Sequence, residues 1–399
     1  MDIYQKLGVN PIINAAGTLT RLGGTIMLPE VRRAMEEAAE SLVPIEQLQA
    51  AASRIIAEIC GSEAGYVVSG AAAGLTMATA ACMVGLDITK MDLLPFPRDI
   101  PDEVIICRSH RNSYDHAYRA AGAKLIEIGV SDRLAGAGVR DTELWEIEAA
   151  ITDRTAAIAY TAMPNSLPSL QQIKQTVLKY DIPVIVDGAA QLPPPSNLRR
   201  FIEEGADLVC FSGGKALRGP QATGIIAGRR DLIASIALQH LDMDVTDPLW
   251  DPPSDLIPKE KLKGIPRHGI GRGFKVSKEQ IAGAITALES YTEKQCEKDQ
   301  KQWQDIVHRV EQGLNTCNHI RLSVQSANNR YAIPILQIQI DEKSVGKSAL
   351  EIAAELNRGN PPVYLGEKHI FEGILLVNPI NLNEKAADEI VRRLKDILR

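Results

Sequence analysis

The sequence predicts an α/β protein: a mostly parallel seven-stranded sheet sandwiched by helices, followed by a smaller α+β C-terminal domain. Three observations predict it. Short β-type runs alternate with helical patterns through the first two thirds of the chain. Several of those runs are continuously apolar instead of alternating, as expected when helices cover both faces of a sheet. The alternation then stops at a proline- and glycine-rich stretch that begins near Thr246.

In chain order, residues 1–60 precede the sheet as an N-terminal arm and helix. Within them INAAGTLTRLGG (13–24) reads as an irregular arm, and LPEVRRAMEEAAESL starts a helix with Pro29 near its first turn. The large domain is expected over 61–245. Its strands are GYVVS (65–69), EVIIC (103–107), KLIEI (124–128), AAIAYT (156–161), PVIVD (183–187), DLVCFS (207–212) and TGIIAG (223–228). ELWEIEAAI, LQQIKQTVLKY and NLRRFIEEG supply helices between them. Residues 246–272 read as an inter-domain loop and 273–399 as the small domain. That domain opens with one long helical pattern from about 277 to 314, then strands IRLSVQ and AIPILQIQI, a helix near 348–358, apolar GILLVN and a closing helix.

Composition narrows the function. At 399 residues, 45% apolar and 24% charged, the chain is an ordinary globular protein. A net charge of −6 argues against nucleic acid, whose phosphates are met by surplus Lys and Arg. Six cysteines stand without a CxxC pair, which suits reduced thiols in the cytoplasm better than disulfides or a metal site. The start MDIYQKLGVN has neither the basic nor the apolar region of a secretory signal. The apolar stretch Ser69–Leu86 ends against Asp87 and reads as a buried helix, so no membrane partner is expected.

Ligands of open parallel sheets collect beyond the carboxyl ends of the strands. Three features fall there. In VVSGAAAGLTMA a strand ends at Ser69-Gly70 and a small-residue helix begins, and a helix N-terminus offers free N–H groups to a phosphate. In VIVDGAAQ, Asp187 closes an apolar strand, where a carboxylate is costly without a positive partner. In FSGGKALRGPQATGIIAG, Ser212 is followed by Gly213 and Gly214, which allow close approach of backbone to ligand, and by Lys215. A nucleotide-binding P-loop is excluded, because Val209 and Ala216 stand where it needs Gly and Ser or Thr. A phosphate cradle, a carboxylate for a ring nitrogen and a Schiff-base lysine are together the needs of pyridoxal 5'-phosphate.

The chain resembles fold-type-I PLP enzymes (the aspartate aminotransferase-like fold), and within them the selenocysteine synthase-like group. INAAGTLTRLGG, EAGYVVSGAAAGLTMA, PVIVDGAAQLPP, FSGGKALRGPQATGII and GRGFKVSKEQIAGAI carry the resemblance over nearly the whole chain. SHRNSYDHAYRAAGAKLIEIG and VDGAAQLPP look most like the D-glucosaminate-6-phosphate ammonia-lyases. Arg218 stands where a second glycine is usual, and Gln191 where many relatives carry an acid.

The resemblance implies Lys215 as the Schiff-base lysine and Asp187 as the ring-nitrogen partner. It implies Ser69, Gly70, Ala71 and Ser212 around the phosphate, with Asn165 and Gln191 beside the cofactor. His110 is the candidate for stacking on the ring, with His116 as its competitor. Arg272 and Lys275, from a basic stretch, and Arg21 in the arm are candidates for substrate anions. The activity implied is a lyase eliminating a β-hydroxyl and ammonia from an amino (sugar) acid, phosphorylated in the nearest group, to give a 2-keto acid. A racemase or aldolase shares the same residues. Selenium transfer on a charged tRNA is disfavoured by the acidic balance, and a non-catalytic role by the intact Lys215 and Asp187. The resemblance further implies a homodimer or higher homo-oligomer.

Overall fold

The computed structural model describes residues 3–130, 142–164, 166–325 and 331–398. Among these the strands are β1 (Ile13–Ala15), β2 (Ala64–Val68), β3 (Glu103–Cys107), β4 (Lys124–Ile128), β5 (Thr155–Thr161) and β6 (Val184–Asp187). They continue with β7 (Leu208–Ser212), β8 (Gly224–Gly228), β9 (Ile320–Gln325), β10 (Ile335–Ile340), β11 (Val363–Leu365) and β12 (Ile374–Val377). The chain forms two compact units: Met27–Leu192 with Ser196–Ser290, and Met1–Ile26 with Pro193–Pro195 and Tyr291–Arg399.

The larger unit holds the expected seven-stranded sheet, in the order β2-β8-β7-β6-β5-β3-β4. Only β8 runs against its neighbours. The remaining neighbours pair in parallel. Continuous apolar runs become strands buried on both faces. Val104, Ile105 and Ile106 point alternately up and down, yet all three are fully buried. Each such side chain contributes about 1.5–3 kcal/mol by leaving water, which suffices to set a strand of this length. The edge strand β4 keeps Lys124 and Glu127 exposed.

The smaller unit is α+β, as expected. Its antiparallel sheet β12-β10-β9 packs with the helices Glu293–Leu314, Ala349–Asn357 and Glu384–Ile397 around Val310, Leu336, Ile338, Ile352 and Ile390.

The units divide at other residues than the expected boundaries of 60, 245 and 272. The arm is not irregular throughout: β1 pairs in parallel with β11, Ile13 against Val363 and Ala15 against Leu365, so residues 1–26 belong with the small unit. The long helix expected over 277–314 is two helices, Lys278–Ser290 and Glu293–Leu314, because the Thr292 side chain accepts from Gln295 N–H and starts the second one. The first belongs to the large unit. A Cβ on its Gly283 would lie 2.8 Å from Met35 and Pro220, and Ala287 is buried with Leu28 and Val31. That apolar face holds residues 278–290 against the helix Pro29–Ala39.

Candidate active site

The sheet order brings the carboxyl ends of β2 through β7 and the amino end of β8 to one edge. Val68, Gly224 and Ser212 lie in one row, and Thr161, Asp187 and Cys210 in another. The Ser69-Gly70 turn, the Gly213–Lys215 turn and Asp187 therefore share a mouth.

Gly70 adopts φ 107°, a conformation that favours glycine, and the helix Ala71–Val84 starts there without a side-chain cap. A Cβ on Gly70 would have no atom within 4 Å, so the turn opens onto free space. Beneath it β8 passes very close: a Cβ on Gly224 would come within 2.5 Å of the Gly70 carbonyl carbon and 2.7 Å of Ala71 N. Gly74 lets the same helix press on Cys210 and Ile226 of the sheet, with a Cβ there only 3.2 Å from each.

The glycines before Lys215 have a different purpose from the one expected. A Cβ on Gly213 would meet Thr223 Oγ1 at 2.1 Å, and one on Gly214 would meet Gln221 Cα at 2.4 Å. They make room for the chain's own return into β8, not for a ligand. Gly213 N–H donates to Thr223 O, Gly219 N–H donates to Gly213 O, and Arg218 N–H donates to Lys215 O. Arg218 sits at φ 54°, left-handed backbone, which explains why glycine suits this position and why an arginine there costs about 1–2 kcal/mol.

Asp187 and Lys215 are both half-buried. Burial raises the Asp187 pKa, opposed by the Ala189 N–H (3.0 Å) and by the charge of Lys215. Burial lowers the Lys215 pKa, opposed by Asp187. In both groups desolvation outweighs the partner, so each is held off its ordinary protonation range.

His110 follows β3 and is 1% exposed, its ring edge-on to Tyr160 with centroids 4.9 Å apart. Thr161 Oγ1, in register with Asp187, donates to the His110 carbonyl at 2.9 Å. Neither His110 ring nitrogen has a partner among the described residues, and burial lowers the pKa to about 4. His116 is exposed and bonded to Arg119, so of the two candidates it is His110 that lies against the end of β5.

Other expected residues divide. Ser212 ends β7 beside Gly224, and Ala71 opens the helix. Gln191 is tied to the scaffold: its side-chain Nε2 donates to Ala162 O at 2.7 Å, and its main-chain carbonyl accepts from Asn197 Nδ2 at 2.6 Å. Asn165 lies outside the described residues. Arg272 pairs with Asp242 at 2.6 Å, while Lys275 is exposed. Arg21 is in the small unit, paired with Glu367 at 3.2 Å and 5.7 Å from the Tyr364 ring centroid. The basic stretch is thus partly neutralised, with His268 beside Asp244 at 3.3 Å and Arg267 4.0 Å from Asp92.

Two neighbours were missed from the sequence. Cys210 is Asp187's partner across β6 and β7. Tyr118 is fully buried with its hydroxyl unpartnered among the described residues, and burial with the charge of Asp187 raises its pKa well above the usual range. Strand pairing alone reveals the first, and neither carries a motif.

The open Gly70 turn, the uncapped helix start, the unpartnered His110 nitrogens and the under-compensated Asp187 and Lys215 fit a phosphorylated pyridine aldehyde. The class-V aminotransferase family profile matches residues 109–360. The chain belongs to the class-V aminotransferases. Its cofactor is accordingly pyridoxal 5'-phosphate, and it is an enzyme. This class-V aminotransferase chain is similar to a Streptomyces 5'-C-glycyluridine monooxygenase-decarboxylase, with 31% identity over 99% of this chain and 92% of that protein. It is also similar to a Salmonella typhimurium D-glucosaminate-6-phosphate ammonia lyase, with 28% identity over 99% of this chain and 98% of the relative. The solved structure of a D-glucosaminate-6-phosphate ammonia-lyase superposes with TM-score 0.79 and 26% identity, covering 100% of this chain and 98% of the other.

Proposed function

We propose that the enzyme is an ammonia-lyase that removes a β-hydroxyl and ammonia from a small amino sugar acid, phosphorylated at its far end, to leave a 2-keto acid. The observation that carries this reading is end-to-end similarity, in sequence and in fold, to D-glucosaminate-6-phosphate ammonia-lyase. The bound cofactor would supply an electron sink for charge developing at Cα.

The chain's own residues supply the rest. Lys215, its pKa lowered by burial, is suited to take the Cα proton at Nζ. Asp187 offers a carboxylate for a protonated ring nitrogen. Ser69, Gly70, Ala71 and Ser212 would hold the phosphate at the uncapped helix start, and His110 would close one face of the ring. Asn165 and Gln191 are the remaining candidates beside the cofactor. Arg272, Lys275 and Arg21 are candidates for the substrate's carboxylate or phosphate. In the net reaction the β-carbon gives up its hydroxyl and ends as CH2, the α-carbon becomes a ketone, and one ammonia leaves.

All six cysteines are free thiols, which supports a cytoplasmic protein. Among the described residues no helix is long and apolar enough to cross a membrane. The partner is a small molecule, and the active form is proposed to be a homodimer or higher homo-oligomer on the family resemblance.

The test uses purified holoenzyme. A visible absorbance band bleached by borohydride, with the label on Lys215, is expected. Incubation with D-glucosaminate 6-phosphate should then release ammonia and 2-keto acid in equal amounts. Deuterium exchange at Cα with neither product would point to racemisation and overturn the lyase reading. One finding favours a second reading: the 31% identical relative named as a monooxygenase-decarboxylase. Uptake of dioxygen with release of carbon dioxide, and no keto acid, would establish that reading instead.

A further inference from the structure

The short helical turn Ile270–Phe274 carries Arg272 and leads into Lys275. It is fastened by more than loop packing. A Cβ on Gly269 would lie 2.5 Å from Gln239 Cα, and one on Gly271 would lie 2.3 Å from Met77 Sδ. Met77 belongs to the helix that starts at the Gly70 turn. The turn is therefore pressed onto that helix, against the Met77 side chain, and onto the end of the helix Arg230–His240, with no side chain of its own glycines between.

At the centre stands His240, 3% exposed and bonded at both nitrogens. Nε2 lies 2.9 Å from Phe274 O, and Nδ1 lies 3.0 Å from Tyr66 Oη. A carbonyl only accepts, so Nε2 carries the proton. Nδ1 is then a lone pair, and the Tyr66 hydroxyl donates to it. One tautomer satisfies every polar atom, and burial keeps the ring neutral by lowering its pKa. Tyr66 is fully buried in β2, three residues before Ser69. The rod Tyr66–His240–Phe274 thus runs from the strand that sets the Ser69-Gly70 turn to the turn that carries Arg272. Two residues beyond His240, Asp242 takes one terminal nitrogen of Arg272 at 2.6 Å, which aims the guanidinium and leaves the other edge of its fork to a second anion.

We propose that His240 is a positioning residue that sets Arg272 at a fixed distance from the Ser69-Gly70 turn, so that Arg272 receives an anionic group of the substrate. The inference rests on the substrate-anion role assigned to Arg272 above. It makes 270–274 a fixed wall of the site.

The experiment titrates holoenzyme variants with D-glucosaminate 6-phosphate and follows the change in cofactor absorbance. That readout reports binding whichever bond breaks afterwards. Arg272→Gln and His240→Leu should each weaken binding about tenfold, with cofactor loading and borohydride labelling unchanged. The double variant should bind no more weakly than Arg272→Gln alone, because His240 acts through Arg272. His240→Gln, whose amide can donate to Phe274 O, should recover most of the loss. If His240→Leu fails to fold, Tyr66→Phe removes only the hydroxyl that fixes the tautomer, and should weaken binding several-fold. Unchanged binding in the His240 or Tyr66 variants beside a weakened Arg272→Gln would overturn the inference and leave the Arg272 assignment standing. Unchanged binding in Arg272→Gln would overturn both, while absence of ammonia from the unmodified enzyme bears on the lyase reading alone.

Discussion

At the amino end of the large sheet, Asp102 and Asp207 are buried carboxylates gripped from several sides. Asp102 meets Arg154 at 2.5 Å and Lys124 at 3.4 Å. Asp207 meets Lys174 at 2.5 Å and Arg229 at 3.5 Å, and also accepts the Val184 N–H at 2.8 Å. At the carboxyl end, Asp187 has one backbone N–H and the field of a lysine that is itself desolvated. The same residue type on the same sheet is thus fully satisfied at one end and left short at the other. The satisfied carboxylates tie the scaffold, and Asp187 is the one proposed to meet the cofactor's ring nitrogen.

The largest effect expected is at Lys215. Lys215→Ala should lower turnover by roughly a thousandfold or more, since Lys215 is the group proposed to accept the Cα proton. Its melting temperature without cofactor should not fall, because a desolvated charge is removed. A variant that melts markedly lower would mean that the lysine is scaffold after all.

Next come the paired aspartates, whose variants should do opposite things. Asp187→Asn should cost about a hundredfold in turnover and leave stability equal or higher. Asp207→Asn should cost about 2–4 kcal/mol, because Lys174 and Arg229 lose their shared partner, with turnover per folded molecule unchanged. Denaturant melts beside single-turnover rates would erase the contrast if both variants lost the same property.

His110 gives a pH signature. Its folded pKa of about 4 lies below the ordinary 6.5, so the unfolded chain binds more protons between those values. Stability should therefore be lost as pH falls from 6.5 toward 4, by about 3 kcal/mol at the limit. His110→Phe, which keeps the packing on Tyr160, should flatten that limb. Parallel curves for the two proteins would remove His110 as the cause.

The smallest effect is steric. Gly224→Ala would push a methyl group against the backbone of the Gly70 turn, and should weaken cofactor binding about tenfold and lower stability by about 1–3 kcal/mol. Equal cofactor affinity would show that the turn yields without loss.

Much of this is legible in the sequence. The seven apolar runs became the seven strands to within a residue or so, because a strand buried on both faces must be apolar throughout. Lys215, Asp187 and the Ser69-Gly70 turn lay at strand ends, where ligands of such sheets bind. The misreadings were of other kinds. The arm looked irregular because β1 is three residues long and is held by partners far along the chain, β11 and the Asn378 N–H on Ala15 O. Gly213 and Gly214 looked like ligand-facing glycines because the segment that crowds them, Gln221 to Thr223, comes from the following turn. Nor does spacing along the chain reveal the neighbours of the site candidates Gln191 and Arg272, which are Ala162 O and Asp242.

The sequence by itself determined the element types, the helix start at the Gly70 turn, and the lysine and carboxylate that the chemistry needs. These depend on local periodicity, backbone preference and residue chemistry, all written along a few consecutive residues. Only the tertiary structure decided the order of the strands, the reversal of β8, the burial of His110 against Tyr160, and the rod from Tyr66 through His240 to Phe274. These join residues up to 174 positions apart, and such contacts are set by which buried faces and donor–acceptor pairs satisfy one another, a condition that no single stretch of chain contains.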